Sequence, residues 1–187
     1  AISLINNKSY SAVGVQELCN EAGVKKGSFY HFFESKKELT LVCLTEMWDF
    51  YKNEVLFPVN KLDISYKEKI NMLLQKSGEM QETSKETQGC VGGCIFGNLA
   101  LEMSTQEEDI RLKISEVFSE WIEYFDDMLS IAKNKNEIPK NVDTRRTAKS
   151  WVAYIEGLSL MVKTFNDTSY VKSIGCALNS LMIYEEC

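Results

Sequence analysis

The chain has 187 residues, a hydrophobic share of 44% and a formal net charge of -6 at pH 7. That is too apolar for a disordered chain, and no apolar run approaches the ~20 residues that span a bilayer, so no membrane partner is expected. A single histidine, His31, excludes most His-dependent metal sites and catalytic triads.

Charge is unevenly spread. Residues 1–45 hold five lysines against four glutamates, a balance of +1, which leaves -7 for the rest. Lys25, Lys26, Lys36 and Lys37 concentrate the positive charge. An acidic body with a small basic head still binds phosphates, with strong salt dependence. The cysteines are Cys19, Cys43, Cys90, Cys94, Cys176 and Cys187. No secretory leader is legible, so a reduced cytoplasmic protein is expected rather than a disulfide framework. Ala1 falls inside a helical pattern, and the N-terminus is expected to be incomplete.

Taken in chain order, the pattern predicts an all-α protein of about nine helices. Residues 1–7 end a first helix. Two short helices follow at 15–22 and 25–32, the first entered at Gly14 and separated from the second by a left-handed turn at Gly23. Val24 is expected to restart a buried contact. Ser35-Lys36-Lys37-Glu38 has the form of a capping box and opens a helix from 36 to about 56, stopped before Pro58. Ser65 to Glu68 opens another, at about 66–86. Gln88–Gly93 is a Gly-rich loop. A short helix is expected at about 94–103. Thr105 to Glu108 is a third capping box, for a helix at about 106–134 whose stripe is Ile110, Ile114, Val117, Phe118, Trp121, Phe125 and Leu129. Asp143 caps a helix at 144–166, and a last helix covers 169–185. Two domains are expected, 1–45 and 46–187.

The pair at 15–32 has the geometry of a helix-turn-helix, in which the second helix enters the major groove of DNA. Lys25, Lys26, Gly27 and Ser28 form its leading turn, with Tyr30 and His31 one turn on. The stretch A-G-V-K-K-G-S-F-Y-H-F-F-E-S-K-K-E-L resembles the signature of TetR/AcrR-family transcriptional regulators. The resemblance implies a homodimer joined through its last two helices, a palindromic double-stranded DNA operator and a small-molecule effector. It implies that Gln16, Lys25, Lys26, Gly27, Ser28, Tyr30 and His31 face groove or backbone, that Lys36 contacts a phosphate, and that Phe29 and Phe33 hold the small core. Phe32 stands where relatives often carry Tyr or His, and Gly14 where they usually carry Thr or Ser.

The segment Gly93-Cys94-Ile95-Phe96-Gly97-Asn98-Leu99-Ala100-Leu101-Glu102 resembles a G-C-x-x-G-N-x-A-x-E element of one branch of that family. That branch includes regulators responding to electrophiles, oxidants or small unsaturated acids. Near a helix N-terminus the Cys94 thiolate is stabilised, and Cys90, in the adaptable loop, is a possible resolving thiol. The competing reading makes Cys94 a small buried residue and Cys90 a plain loop residue. Trp48, Trp121 and Trp151 each lie on an expected long helix and, with Asn98 and Tyr154 as polar tips, are candidates for lining an effector pocket, against a plain core role. Gly157 and Gly175 allow close helix approach at a dimer seam or a kink. No catalytic residue, metal site or cofactor is expected. The function expected is a ligand- or redox-responsive DNA-binding repressor. The alternatives are a cysteine-based electrophile sensor of the same kind and a helical interaction module without DNA binding.

Overall fold

The structure, a computed structural model, describes residues 1–185; Cys187 and the last residues of the expected C-terminal region lie outside the described residues. The chain is helical, and the described residues contain no strand beyond one isolated bridge, Val142 to Tyr184. The helices are α1 (Ile2–Lys8), α2 (Val15–Glu21), α3 (Lys26–Phe32), α4 (Lys36–Tyr51), α5 (Tyr66–Gln88), α6 (Ile95–Met103), α7 (Glu108–Asn134), α8 (Thr144–Phe165) and α9 (Ser169–Ile174).

Side-chain caps fix several of these starts. Ser65 makes both halves of its capping box with Glu68, and the Asp143 carboxylate accepts from the Arg146 amide at 2.9 Å. Ser35 makes one half: its hydroxyl accepts from the Glu38 amide at 3.1 Å, while the Glu38 carboxylate accepts from the Glu34 amide instead.

Three elements depart from the sequence reading. The helix opened at Lys36 does not stop before Pro58. It widens into a π-helical turn, Lys52–Leu56, and ends in one further α-turn, Phe57–Asn60, with Pro58 in its first positions. In a continuous α-helix Pro58 would clash with the Glu54 carbonyl; in the first turn of a new segment its missing N–H costs nothing. The Tyr124 hydroxyl donates to the Leu56 carbonyl at this junction, 3.0 Å away. Thr105 caps nothing. The Met103 carbonyl accepts from the amides of Gln106 and Glu107, both at 2.9 Å, so Thr105 is used in that turn and α7 starts at Glu108.

The last expected helix is also broken. After α9 comes a 3-10 turn, Gly175–Ser180, and then extended chain. Gly175 is buried, and a Cβ there would stand 3.3 Å from Leu74 Cδ2. The extended tail finds better partners than a helix would offer: Trp151 Nε1 donates to the Leu181 carbonyl at 2.8 Å, and the Ile183 amide donates to Thr147 Oγ1 at 3.0 Å.

The chain divides into two compact units, Ala1–Phe50 with Cys94–Val117, and Tyr51–Gly93 with Phe118 onward. In the first unit Ile5, Val13, Leu18, Phe29, Leu44, Trp48, Leu99 and Ile110 are buried. In the second, Trp151 packs edge-on to Phe125 and stacks on Tyr66, and Val91, Leu158, Val162 and Val171 form a smaller cluster. The α7 stripe expected from the sequence is buried at Ile110, Ile114, Val117, Trp121, Phe125 and Leu129.

Candidate nucleic-acid interface and effector residues

Helix α2 ends in a Schellman turn. Gly23 sits at φ 65°, its amide donates to the Asn20 carbonyl and the Val24 amide to the Cys19 carbonyl. That turn launches α3. Phe29 faces inward at 6% exposure, with its ring 5.7 Å from that of Phe33. The opposite face is open: Lys25, Lys26, Gly27, Ser28, Tyr30 and His31 are all exposed. Val24 is exposed too, contrary to the buried contact expected. Phe32, 71% exposed, packs its ring edge-on to His31.

Charge on this face is available. Among the described residues neither Lys25 nor Lys26 has a carboxylate within ion-pair reach, and Lys26 lies 5.9 Å from the Tyr30 ring centre. Lys8 and Lys37, by contrast, are held by Glu17 at 2.6 Å and by Asp109 at 2.7 Å. Gln16 is exposed on α2 and its amide donates to Asn20 Oδ1 at 3.0 Å. Lys36 is turned inward. Its ammonium donates to the carbonyls of Tyr10 at 2.7 Å and Val13 at 2.8 Å and lies 4.0 Å from the Tyr10 ring centre. Burial pushes its pKa down.

The nominated effector residues fall in both units. In the first, Cys94 is half-buried at the N-cap of α6, with its carbonyl accepting from the Asn98 amide at 2.9 Å. Trp48 is buried edge-on to Phe96, and the Asn98 side chain donates to Asn6 Oδ1 at 2.6 Å. In the second, Trp121 packs between Tyr51 and Phe125, and the Tyr154 hydroxyl donates to the Ile174 carbonyl at 2.6 Å. Burial raises the Tyr154 phenol, which keeps it a donor. Cys90 is exposed. Its loop is pinned rather than adaptable: Gln81 bonds both the amide and the carbonyl of Gly93, and Asn166 accepts from the Val91 amide at 2.9 Å.

A groove of about 620 Å³ lies between α5 and α9, lined among others by Leu74, Gly78, Glu79, Val171, Lys172 and Cys176. None of the nominated effector residues lines it. Among the described residues no group of three or more His, Cys, Asp or Glu side chains could hold a metal ion, and no helix is long and apolar enough to cross a membrane.

One further group acts without a local sequence signal. Glu102, the closing residue of the Cys94 element, accepts from the amides of Tyr10 and Ser11, both at 2.8 Å. A glutamate two turns along a helix from a cysteine carries no signal of a partner 92 positions away.

Family models match along the chain. Residues 1–43 match the bacterial regulatory proteins of the tetR family, and residues 71–178 match the tetracyclin repressor-like C-terminal domain. The transcriptional regulator AcuR of Cereibacter sphaeroides is 31% identical over 160 residues, 85% of this chain and 71% of that protein. A regulatory protein TetR from Rhodobacter sphaeroides superposes with a TM-score of 0.84 at 24% identity, covering 97% of this chain and 94% of that one. The transcriptional repressor NemR of Escherichia coli is 26% identical over 104 residues, 56% of this chain and 50% of that protein. Its reduced form superposes with a TM-score of 0.77 at 19% identity, covering 98% and 93% of the two chains.

Proposed function

Because this chain belongs to the tetR family of bacterial regulatory proteins, we propose that it is a transcriptional repressor that a small effector releases from a palindromic operator. The observation that carries this reading is the open face of α3, where Lys25, Lys26, Gly27, Ser28, Tyr30 and His31 stand exposed behind a fixed Schellman turn. Such a face offers two cations for phosphates and hydroxyl and imidazole groups for base edges. Gln16 on α2 adds one more. The division of labour is DNA at 1–45, effector and dimer at 46–187, acting in the cytoplasm where the DNA is.

Two protomers would present two α3 helices to successive major grooves ~34 Å apart. The dimer surface is supported by a run on α8: Ala153, Gly157, Leu160, Met161 and Phe165 are exposed at steps of one to four residues, and Gly157 has nothing within 4 Å of where a Cβ would stand. Gly175 supports no seam, being used against Leu74. An effector that favours a dimer of different spacing lowers operator affinity by its own preference for that state.

A thiol-reactive effector is the second reading, favoured by the half-buried position of Cys94 at the start of α6. An α,β-unsaturated carbonyl would take the sulfur at its β-carbon and the thiol proton at its α-carbon. In that reading Cys90, being exposed, is modified without effect on DNA. Trp48, Asn98, Trp121 and Tyr154 are the proposed ligand contacts. A gel shift on the upstream region of the chain's own gene tests both readings. Binding should be present in reductant, and N-ethylmaleimide should abolish it in wild type but not in Cys94→Ser. Equal release in both proteins rejects the thiol reading, and no binding in any condition rejects the repressor.

A further inference from the structure

We propose that Glu102 and Lys36 clamp the loop between α1 and α2 from two sides, and that Glu102 is a positioning residue for operator binding. The inference rests on the DNA-reading role of α3. Residues 9–14 join α1 to α2, and whatever fixes this loop fixes the entry of the helix pair.

The loop is poorly fixed by its own sequence. Ser9 leaves α1 at φ 84°, a region that non-glycine residues hold only when their surroundings impose it. Gly14 caps α2 without any side-chain bond. The local bonds inside the loop are long, from the Ala12 amide to Ser9 Oγ at 3.4 Å and from the Val13 amide to the Tyr10 carbonyl at 3.3 Å, and the short ones come from far along the chain.

Those bonds match the loop's polarity on both sides. Two successive amides, Tyr10 and Ser11, each donate to a different oxygen of Glu102 at 2.8 Å. Two carbonyls, Tyr10 and Val13, accept from Lys36 at 2.7 and 2.8 Å. A carboxylate accepting from amides and an ammonium donating to carbonyls are the charge-assisted forms of these bonds. The side chains of Tyr10 and Val13 are buried beneath, and the Tyr10 ring faces the same ammonium. Asn98, one turn before Glu102 on the same face of α6, holds Asn6 of α1 at 2.6 Å. Helix α6 thus grips the head at two points one turn apart.

With two of its three N–H groups on loop carbonyls, Lys36 acts on DNA through the loop. This separates it from Lys26, whose ammonium is open. The distinction is measurable, because losing a phosphate contact lowers the salt dependence of binding and losing a positioning bond does not.

The test is fluorescence anisotropy of the full chain with tiled duplexes from the upstream region of its own gene, at 50 to 200 mM salt. Glu102→Gln should bind roughly 5- to 50-fold more weakly, with the slope of log K against log salt unchanged. Lys36→Met should do the same, whereas Lys26→Ala should reduce the slope by about 1. Hydrogen exchange should show the Tyr10 and Ser11 amides faster in Glu102→Gln at unchanged helix content. If Glu102→Gln does not fold, Glu102→Asp, which keeps the charge and withdraws the oxygens, is read in its place against the same expectation. Wild-type affinity in the Glu102 variant overturns the clamp, as does a slope reduced by Lys36→Met. A wild-type chain that binds no duplex overturns the DNA-reading role itself.

Discussion

Lys26 and Lys36 hold the same charge in different surroundings, and their variants should separate accordingly. Lys26 is exposed with a partial contact to Tyr30, so Lys26→Ala should weaken all duplexes alike and leave thermal stability within about 0.5 kcal/mol. A loss confined to one sequence would instead mean base readout. Glu102 makes its own demand on pH. Burial works to raise its carboxyl, but the amides and hydroxyls of the Ser9–Ser11 stretch outweigh burial and hold it below the ordinary glutamate value. Its stabilisation is therefore complete above the unfolded value of ~4.3 and disappears as pH falls through the lower folded value. In acid titrations followed by circular dichroism, wild type should lose stability more steeply than Glu102→Gln below about pH 4.5. Parallel curves would contradict this. The exposed head residues were legible because a helix, a glycine and a helix are neighbours in sequence. The partners of Lys36, Asn98 and Glu102 were not, since bonds across 23 to 92 positions leave no local pattern.

At the scale of elements, starts were readable and some ends were not. Ser65 and Asp143 advertise their caps within four residues. Pro58 advertised a stop, yet a π turn let the rod continue, with Tyr124 serving the Leu56 carbonyl. The tail after Gly175 has apolar residues at helical spacing but is drawn into extended form by partners in α8. Two substitutions probe these junctions. Gly23→Ala must place a Cβ at φ 65°, which should cost about 1 kcal/mol by thermal unfolding; no loss would mean the turn relaxes. Trp151→Phe removes the N–H given to the part-buried Leu181 carbonyl, a loss of about 1 kcal/mol. An unchanged melting temperature would show that the tail is held by packing alone.

Across the whole molecule, operator binding as proposed needs two copies and one opened face. The exposed run Ala153, Gly157, Leu160, Met161 and Phe165 is where a second copy is expected. Leu160→Asp should give a monomer by light scattering and lose operator affinity by ~100-fold or more, because the second half-site contact is no longer tethered to the first. A dimer unaffected by Leu160→Asp would place the seam elsewhere. Cys94, Asn98 and Glu102 follow one face of α6 at steps of four residues, which places the proposed thiol about two turns from the carboxylate that holds the amides of Tyr10 and Ser11. The most direct test of the central claim is a quantitative titration of the full chain onto duplexes from upstream of its own gene, with competitor DNA present. Saturable binding of two protomers per duplex is expected, weakening steeply with salt and lost in the Lys25→Ala, Lys26→Ala double variant. Binding no tighter than to competitor, or full retention in that double variant, would contradict it.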